Sequence, residues 1–373
     1  SMRKLALRDE ILLSIEKPAR YIGNEVNAVM KSRDVDIRFA MCFPDVYEIG
    51  MSHLGIQILY DMFNKREDTW CERVYSPWTD LDAVMRKEHI PLFALESQDP
   101  IKDFDFLGIT IQYEMCYTNI LQVLDLSGIP MLAVDRTWDD PIVIGGGPCA
   151  YNPEPLADFF DIFYIGEGEV VYDELLELFK KAKKEGWSRE EFLHQASHIA
   201  GIYVPSLYKV SYHEDGTIAA FEPVYDDVPK TVEKQIVMDV TNASYPKTPV
   251  VPFIKCTQDR VVLEIQRGCI RGCRFCQAGY VYRPVRNRSK DLLLQYGVEA
   301  LKDSGYQEMT LSSLSTSDYK PLNDLCDGLM EYCEANKVHL SLPSLRADNF
   351  SMELQQRLSR GRKAGLTFAP EAG

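Results

Sequence analysis

Two separate parts of this chain alternate short apolar runs with stretches of helical periodicity, and this alternation limits the fold more than any other feature. In the first part the strand-like runs are VDIRFAMCFPD, IPLFALE, FDFLGITIQ, PIVIGGG and FDIFYIG, and helix-like stretches lie at 51–63, 80–88, 116–127 and 170–184. Parallel strands need such crossovers, so the pattern predicts a doubly wound parallel α/β sheet. We assign it to residues 36–200, after a helical lead-in at 1–35 that Pro18 interrupts.

The second series of strand-helix units begins after Arg260. Its strand-like runs are VVLEIQ, EMTLSS, VHLSLPS and LTFAP, and its helix-like stretches lie at 290–304, 321–336 and 352–363. Repeated units without a reversal predict a (β/α) barrel, or part of one, at 260–373. Residues 201–259 separate the two series. They contain two alternating runs around Asp215-Gly216 and then several prolines, which predicts a hairpin followed by a linker.

Composition narrows the class of protein. The 373 residues are 46% hydrophobic and carry a formal net charge of -15, and no apolar run approaches the ~18 residues of a membrane span. The opening SMRKLALRDE lacks the apolar core of a secretory signal, so we predict a cytoplasmic protein with no membrane partner. In that compartment the ten cysteines are expected to be reduced thiols and metal ligands. The acidic balance disfavours broad nucleic-acid binding.

Three cysteines, Cys269, Cys273 and Cys276, form a C-x3-C-x2-C motif just after the run VVLEIQ. Barrel enzymes carry their chemistry in the loops that follow strands. A structural zinc site normally takes four ligands, so three thiolates leave one coordination position open. An iron-sulfur cluster held by three thiolates can present its fourth iron to a substrate. The alternative is a zinc site completed by Cys256 or a histidine.

The stretch CIRGCRFC, with Phe275 before the last cysteine, resembles the cluster loop of the radical S-adenosylmethionine superfamily. The resemblance implies a [4Fe-4S] cluster on the three cysteines, whose open iron binds the amino and carboxylate groups of S-adenosylmethionine. It also implies reductive cleavage of that molecule to a 5′-deoxyadenosyl radical, with electrons from a donor such as flavodoxin or ferredoxin.

The same resemblance implies further S-adenosylmethionine contacts in the barrel. Ser312, Ser313 and Ser315 in LSSLSTSDY stand where the superfamily has a Gly-Gly-Glu-like stretch. Arg346 is a candidate partner for the carboxylate, because guanidinium pairs with carboxylates in a bidentate manner. Glu371 in FAPEAG resembles a polar residue near the ribose. The alternatives are a surface arginine and a solvated loop carboxylate.

Glycines follow two strand-like runs of the first domain: Gly145, Gly146 and Gly147 after one, and Gly166, followed by Glu167, after the next. Glycines past a strand end let a ligand approach the backbone, although tight turns need glycine as well. In order and spacing, GGGPCAYNPEPL and GEGE resemble the flavodoxin- or Rossmann-like cobalamin-binding domain that precedes the barrel in one branch of the superfamily. The resemblance implies that these residues bind cobalamin.

Three polar residues nearby complete this interpretation. The resemblance places Thr110 and Gln112 where the domain lines the nucleotide tail of cobalamin, the alternative being ordinary strand-end residues. The cobalt-ligating pattern Asp-x-His-x-x-Gly is not matched by EIGMSHLGIQ, which has Met51 in place of Asp and Gly55 one residue early. The sequence therefore favours a capping or core role for His53.

Basic residues surround the cysteines, with no acid between Ile265 and Lys290. Three are expected to balance the charge of the cluster and of the S-adenosylmethionine carboxylate: Arg267, Arg271 and Arg274. The others are expected to face solvent, or else an anionic substrate: Arg283, Arg286, Arg288 and Lys290.

The sequence predicts a cobalamin-binding radical S-adenosylmethionine enzyme, with methyl transfer to an unreactive carbon as one use of the cofactor pair and another radical rearrangement as the second. RNA or protein is conceivable as substrate. The alternative is a noncatalytic, zinc-stapled α/β module that binds RNA or a ribosomal partner.

Only four strand candidates follow Arg260, whereas domains of this superfamily usually have six strands in a partial barrel. We therefore expect a truncated barrel and a chain that is a fragment of a longer protein. The fourth strand, LTFAP, is then expected to be disordered or covered by a neighbouring chain.

Overall fold

The computed structural model describes residues 4–349, 351–358 and 368–370. The chain divides into two compact units, Ser1–Val237 and Met238–Gly373. The division falls inside the linker predicted at 201–259, so that the hairpin belongs to the first unit.

The first unit is built on one mixed sheet, which confirms the α/β class. Its strands in the described residues are β1 (Ile37–Phe43), β2 (Thr69–Tyr75), β3 (Phe106–Thr110), β4 (Ile142–Gly146), β5 (Ile162–Tyr164) and β6 (Ile202–Tyr203). They lie in the order β2-β1-β3-β4-β5-β6, and every neighbouring pair is parallel except β5 and β6. The chain reverses its direction across the sheet between β1 and β3, and such a switch point is where sheets of this type open a crevice.

Helices cover both faces of this sheet. They are α1 (Asp9–Ser14), α2 (Tyr47–Gly50), α3 (Leu54–Asn64), α4 (Thr79–Glu88), α5 (Tyr117–Ser127), α6 (Tyr172–Glu185) and α7 (Arg189–Ala196). Phe39 of β1 stacks on Phe63 of α3 at 4.2 Å between ring centroids. Ala40, the next residue of β1, belongs to the opposite core with Leu81 of α4 and Ile120 of α5. Because successive strand residues point to opposite faces, the sheet is doubly wound, as the alternation predicts.

The prediction of a strand at IPLFALE is wrong. The structure has a strand at β2 instead, which the pattern of apolar residues does not predict. Leu92 donates its N–H to Leu126 O, Ala94 donates to Asp99 O and Leu95 donates to Arg73 O of β2, so the segment makes single contacts to several elements instead of a regular ladder. The run TWCERVY of β2 is fully buried although it contains Glu72 and Arg73. Because of these charged residues, a search for apolar runs does not identify β2 as a buried strand.

The predicted helical lead-in is helical only in part. After α1 the chain makes a 3-10 turn at Pro18–Arg20, and residues 22–35 contain no helix. Proline lacks the N–H that would continue a helix. The stretch instead places the carboxylate of Glu25 against Arg73 of β2, at 2.7 Å.

The predicted hairpin is confirmed. Strands β7 (Tyr208–Tyr212) and β8 (Ile218–Pro223) pair in antiparallel fashion. Between them Gly216 has φ +83°, in the left-handed region that favours glycine, and Thr217 donates its N–H to the Asp215 carboxylate at 2.9 Å.

The described residues of the second unit contain a small parallel sheet and two short strand pairs. Its strands are β9 (Val261–Glu264), β10 (Gln266–Arg267), β11 (Arg286–Asn287), β12 (Glu308–Ser312), β13 (His339–Ser341), β14 (Leu345–Arg346) and β15 (Phe368–Ala369). Its helices are α8 (Ala278–Val281), α9 (Lys290–Ser304), α10 (Leu322–Asn336) and α11 (Met352–Leu358). The parallel sheet has the order β13-β12-β9, and the two pairs are β10–β11 and β14–β15.

The four predicted strands and the three helices between them are found in this order. The end of the helix predicted at 352–363 lies outside the described residues. The run LTFAP contributes β15, which pairs in parallel with β14 rather than with β13.

Within the described part of the chain, no helix combines the length and the apolar character that a membrane crossing requires.

Candidate functional site

The cysteine loop begins where β10 ends. Gly268, directly before the first cysteine, has φ +82°, and a Cβ there would lie 2.6 Å from Pro284 O and 2.7 Å from Tyr282 O. Glycine is therefore required at this position, since a side chain would meet backbone atoms. Cys269, Cys273 and Cys276 follow it. All three are partly buried and none is in a disulfide.

The spacing of these sulfurs bears on the metal they can hold. In the described residues, the sulfurs of the three cysteines do not all lie within 4.8 Å of one another, as the ligands of a single ion do. A four-iron cluster takes each thiolate on a different iron atom and accommodates a wider spacing. Cys256 is buried, and its thiol donates to Ile254 O at 3.6 Å. Among the described residues, no group of close metal-ligating side chains combines the three cysteines with Cys256 or with a histidine.

A bidentate ion pair ties the cysteine loop to the loop after β12. Arg271, between the first two cysteines, donates to both carboxylate oxygens of Asp318, at 2.6 and 3.1 Å. The Asp318 carboxylate also accepts the hydroxyl of Ser315 at 2.7 Å and the amide of Asn349 at 3.1 Å. The Arg271 hydrogen bonds lower the pKa of Asp318 to about 2. One ionised carboxylate thus joins the loops that follow β10, β12 and β14.

The three serines predicted to contact S-adenosylmethionine lie in this network. Ser312 ends β12, and its carbonyl accepts the N–H of Ile265 at 3.0 Å. The Ser313 hydroxyl accepts the N–H of Ser315 at 3.1 Å. Ser315 is buried, and its carbonyl accepts the side-chain amide of Gln266 at 2.8 Å. The structure therefore brings the serine loop beside β10, at the edge where the cysteine loop begins.

The two remaining predicted contacts differ in their outcome. Arg346 lies in β14, is partly buried and pairs with Asp348 at 3.0 Å, while its backbone N–H donates to the Ser317 hydroxyl at 3.2 Å. It thus belongs to the same group of loops. Glu371 lies outside the described residues.

Several basic residues near the cysteines form ion pairs or hydrogen bonds with other residues of the chain. Arg288 was expected to face solvent but is fully buried, where it pairs with Glu264 at 2.7 Å. Arg286 is buried as well and donates to Pro284 O at 2.9 Å. The expectation is wrong for these two, because the Glu264 carboxylate pairs with Arg288 and nearby backbone carbonyls accept hydrogen bonds from Arg286. Arg267 also pairs with Glu264, at 2.9 Å.

At the carboxyl end of β4, the surroundings of three consecutive glycines differ. A Cβ on Gly145 would lie 2.9 Å from the Phe160 ring, so aromatic packing requires glycine there. Gly147 has φ +92°, and its Cβ would lie 2.9 Å from Ile111 O. A Cβ on Gly146 would meet no described atom within 4 Å. Gly146 is therefore the glycine that leaves open space at the end of β4.

Thr110 and Gln112 lie at the same edge. The Gln112 amide donates to the Thr110 hydroxyl at 2.6 Å, and a Cβ on Gly147 would come 3.0 Å from that amide nitrogen. His53 hydrogen-bonds to the same Gln112 side chain. The structure thus brings together residues from the carboxyl ends of β3 and β4 and from the start of α3.

His53 has the capping role that the sequence favours. Its Nδ1 accepts the N–H of Ile56 at 3.2 Å and so caps the N-terminus of α3. Gly55 leaves room for the ring, since a Cβ there would lie 2.7 Å from His53 Cε1. Burial lowers the pKa of His53 to about 4, with the Gln112 hydrogen bond opposing that shift. The imidazole is therefore neutral near pH 7, with Nδ1 occupied by the helix.

The second glycine stretch, at Gly166 and Glu167, contacts residues 235–237 of the same chain. Gly166 has φ +124° and pairs with Gln235 as an isolated bridge. Glu167 accepts the N–H of Val237 on its carboxylate at 2.8 Å. Both residues position the 235–237 segment at the end of β5. Their contact with cobalamin stays a prediction.

Sequence reasoning missed Asp318 and Glu264, the two acids around which the second unit arranges its arginines. Asp318 pairs with a residue 47 positions away, and Glu264 accepts Arg288 from 24 positions away. The one available signal was the excess of basic residues at 265–290, which requires acidic partners elsewhere in the chain.

Comparison with known proteins gives three findings. The family model "Radical SAM proteins, N-terminal" matches residues 55–205, which include most strands of the first sheet. The uncharacterized protein MJ0966 of Methanocaldococcus jannaschii is 29% identical over 337 residues, covering 90% of this chain and 60% of that protein. The chain thus spans about three fifths of this relative.

Two solved structures share the fold. The radical S-adenosylmethionine methyltransferase TsrM from Kitasatospora setae, with cobalamin and a [4Fe-4S] cluster bound, matches with a TM-score of 0.57 at 13% identity, over 90% of this chain and 61% of that one. The same enzyme with tryptophan substrate and the analogue aza-SAM matches with a TM-score of 0.52 at 12% identity, over 89% and 59%. Residues 55–205 thus match the N-terminal region of radical S-adenosylmethionine proteins, and the chain shares its fold with a radical S-adenosylmethionine methyltransferase.

Proposed function

We propose that this chain is a cobalamin-dependent radical S-adenosylmethionine enzyme that transfers a methyl group to an unreactive carbon. The observation that carries the proposal is the C-x3-C-x2-C loop at a strand end, with its Arg271 anchored to Asp318 in the serine loop. The TsrM structure that holds cobalamin and a [4Fe-4S] cluster on the same fold supports this assignment.

Cys269, Cys273 and Cys276 would hold the cluster. When bound, a [4Fe-4S] cluster supplies the electron that cleaves S-adenosylmethionine to methionine and the 5′-deoxyadenosyl radical. An external donor such as flavodoxin or ferredoxin would provide that electron. The protein's own part is to fix the thiolates through Gly268 and the Arg271–Asp318 pair, and to present backbone and hydroxyl groups of the serine loop to the methionine end.

Cobalamin would lie at the switch point of the first sheet. When bound, cobalamin supplies a carrier for the methyl group. Gly146 leaves space for close approach, and Thr110 and Gln112 offer polar groups for a nucleotide tail. Because Nδ1 of His53 caps α3, we do not assign that histidine to cobalt.

The test compares cysteine variants after anaerobic reconstitution with iron and sulfide. Replacement of Cys269, Cys273 or Cys276 by alanine should remove most of the iron and all formation of 5′-deoxyadenosine. The matched control is Cys256→Ala, which should retain the iron. Zinc bound in place of iron and lost from the Cys256→Ala variant would contradict the proposal and support the zinc-stapled module.

A further inference from the structure

Three metal-ligating side chains converge on the surface of the first unit, outside the residues used by the proposed function. His194 lies in the last turn of α7, His198 just beyond its end, and Asp227 in the segment after β8. His194 Nε2 is 2.8 Å and His198 Nε2 is 3.1 Å from the same oxygen, Asp227 Oδ2. Among the described residues, this is the one set of at least three His, Cys, Asp or Glu side chains whose ligand atoms all lie within 4.8 Å of one another.

The backbone fixes the two histidines. They are four residues apart, a spacing that places side chains on one face of a helix. The helical turn continues past Ala196, since Ser197 donates its N–H to Leu193 O at 3.1 Å and His198 donates to Gln195 O at 3.1 Å. Both imidazoles therefore point to the same side.

The residues around Asp227 also hold its position. The neighbouring Val228 is 2% exposed, and its N–H donates to Tyr225 O at 3.2 Å, which closes a turn around Asp227. The Tyr225 ring packs on the His194 ring at 4.8 Å between centroids. Packing of its two neighbours thus holds the carboxylate in place, and ligands held in this way bind metals more strongly than mobile ones.

We propose that His194, His198 and Asp227 form a binding site for a divalent transition metal such as Zn²⁺. Two imidazole nitrogens and one carboxylate are ligands that suit zinc, and water would complete a tetrahedral shell on the exposed side. The metal would replace the two hydrogen bonds to Asp227, with each neutral imidazole carrying its proton on Nδ1. The site would join α7 to the segment that follows the hairpin. It is separate from the cysteine motif in sequence and does not depend on the proposed radical chemistry.

The experiment uses the full chain with Cys269, Cys273 and Cys276 replaced by alanine, so that thiolates cannot bind the probe. Co²⁺ is titrated and followed by its visible absorption, and Zn²⁺ is then added as competitor. We expect one equivalent of Co²⁺ that Zn²⁺ displaces, and a thermal midpoint raised by Zn²⁺. His194→Ala, His198→Ala and Asp227→Asn should each weaken Co²⁺ binding by at least about tenfold, the lower end of the loss seen when even an outer-shell partner is removed.

His213→Ala is the matched control, because His213 is an exposed histidine of the same unit outside the cluster. It should bind Co²⁺ as the parent does. Since His198 and Asp227 are both exposed, their variants should fold, and circular dichroism will verify this. Absence of a one-equivalent Co²⁺ site in the parent, or undiminished binding in the folded His198→Ala and Asp227→Asn variants, would overturn the proposal and leave a cluster that is only hydrogen-bonded.

Discussion

At the scale of single residues, Asp318 shows how one side chain can organise a site that the sequence presents as separate motifs. Its carboxylate accepts hydrogen bonds from Arg271, Ser315 and Asn349, which belong to three different loops. Charge-assisted bidentate pairs are stronger and more directional than neutral hydrogen bonds. Asp318 is therefore a positioning residue for the cysteine loop.

Replacement of Asp318 by asparagine should loosen that loop. The variant keeps the size of the side chain but loses the charge that attracts Arg271, so we expect faster alkylation of the three thiols in the protein before reconstitution and less iron afterwards. Asp324→Asn is the control, because Asp324 is an exposed acid of α10. Equal alkylation rates in the wild type and in Asp318→Asn would contradict this role.

The loop should also loosen in acid. The folded pKa of Asp318, about 2, lies below its ordinary value of 3.8, so its contribution is complete above about pH 4 and is lost as the pH falls toward 2. Amide hydrogen exchange of the cysteine loop, which can be followed in acid, should become equal in wild type and Asp318→Asn over that range.

His53 should make the first unit less stable in mild acid. Its folded pKa of about 4 lies below the ordinary 6.5, so the unfolded chain binds the extra proton and stability falls as the pH drops below about 6.5. Between pH 7 and pH 5 the loss from this group should be about 2 kcal/mol. His53→Asn keeps a capping side chain without a titrating ring. Urea unfolding of both proteins across this range should show a smaller loss for the variant, and identical pH profiles would contradict the assignment.

Gly146 and Gly147 should respond differently to alanine. At Gly146 a Cβ meets open space, so the free energy of unfolding should change by less than ~0.5 kcal/mol, whereas hydroxocobalamin should bind about tenfold more weakly because the methyl group occupies the approach. At Gly147 the positive φ and the contact with Ile111 O should cost roughly 1–3 kcal/mol. Unchanged cobalamin binding by Gly146→Ala would show that the ligand does not approach there.

At the scale of elements, β2 explains why apolar patterns find some strands and miss others. Strands β1, β3, β4 and β5 are apolar runs that the sequence predicts. β2 is equally buried, but its Arg73 is neutralised by Glu25, 48 positions away, and by Glu96, 23 positions away. Such pairing is a tertiary property, and a local window of sequence does not contain it. The burial of Arg288 was not predicted for the same reason, because its partner Glu264 lies 24 positions away.

Removal of Arg73 should therefore be costly. Arg73→Met leaves the carboxylates of Glu25 and Glu96 buried without their cation, and breaking a buried pair in this way costs about 3–5 kcal/mol. The control is Arg86→Met, an exposed arginine that pairs with Asp82 and Asp125 and whose loss should cost at most ~1 kcal/mol. Chemical denaturation will measure both, and similar values for the two variants would contradict the account.

At the scale of the whole molecule, two units each place candidate residues in the loops that follow their strands. The strand-helix alternation predicts both units, because buried strands and amphipathic helices leave local signatures. The cysteine motif is equally local. The ion pairs that position it are not, since Asp318 and Glu264 find their arginines only once the chain has folded. The sequence therefore predicts the cysteine ligands of the site better than the ion pairs that hold them in place.

The most direct test of the central claim is the electron paramagnetic resonance spectrum of the anaerobically reconstituted, reduced chain with and without S-adenosylmethionine. We predict about four iron atoms per chain and a cluster signal that changes when S-adenosylmethionine binds the open iron, with no such signal in the Cys276→Ala variant. Bound zinc without a cluster signal, or a full cluster whose signal S-adenosylmethionine leaves unchanged, would contradict the account.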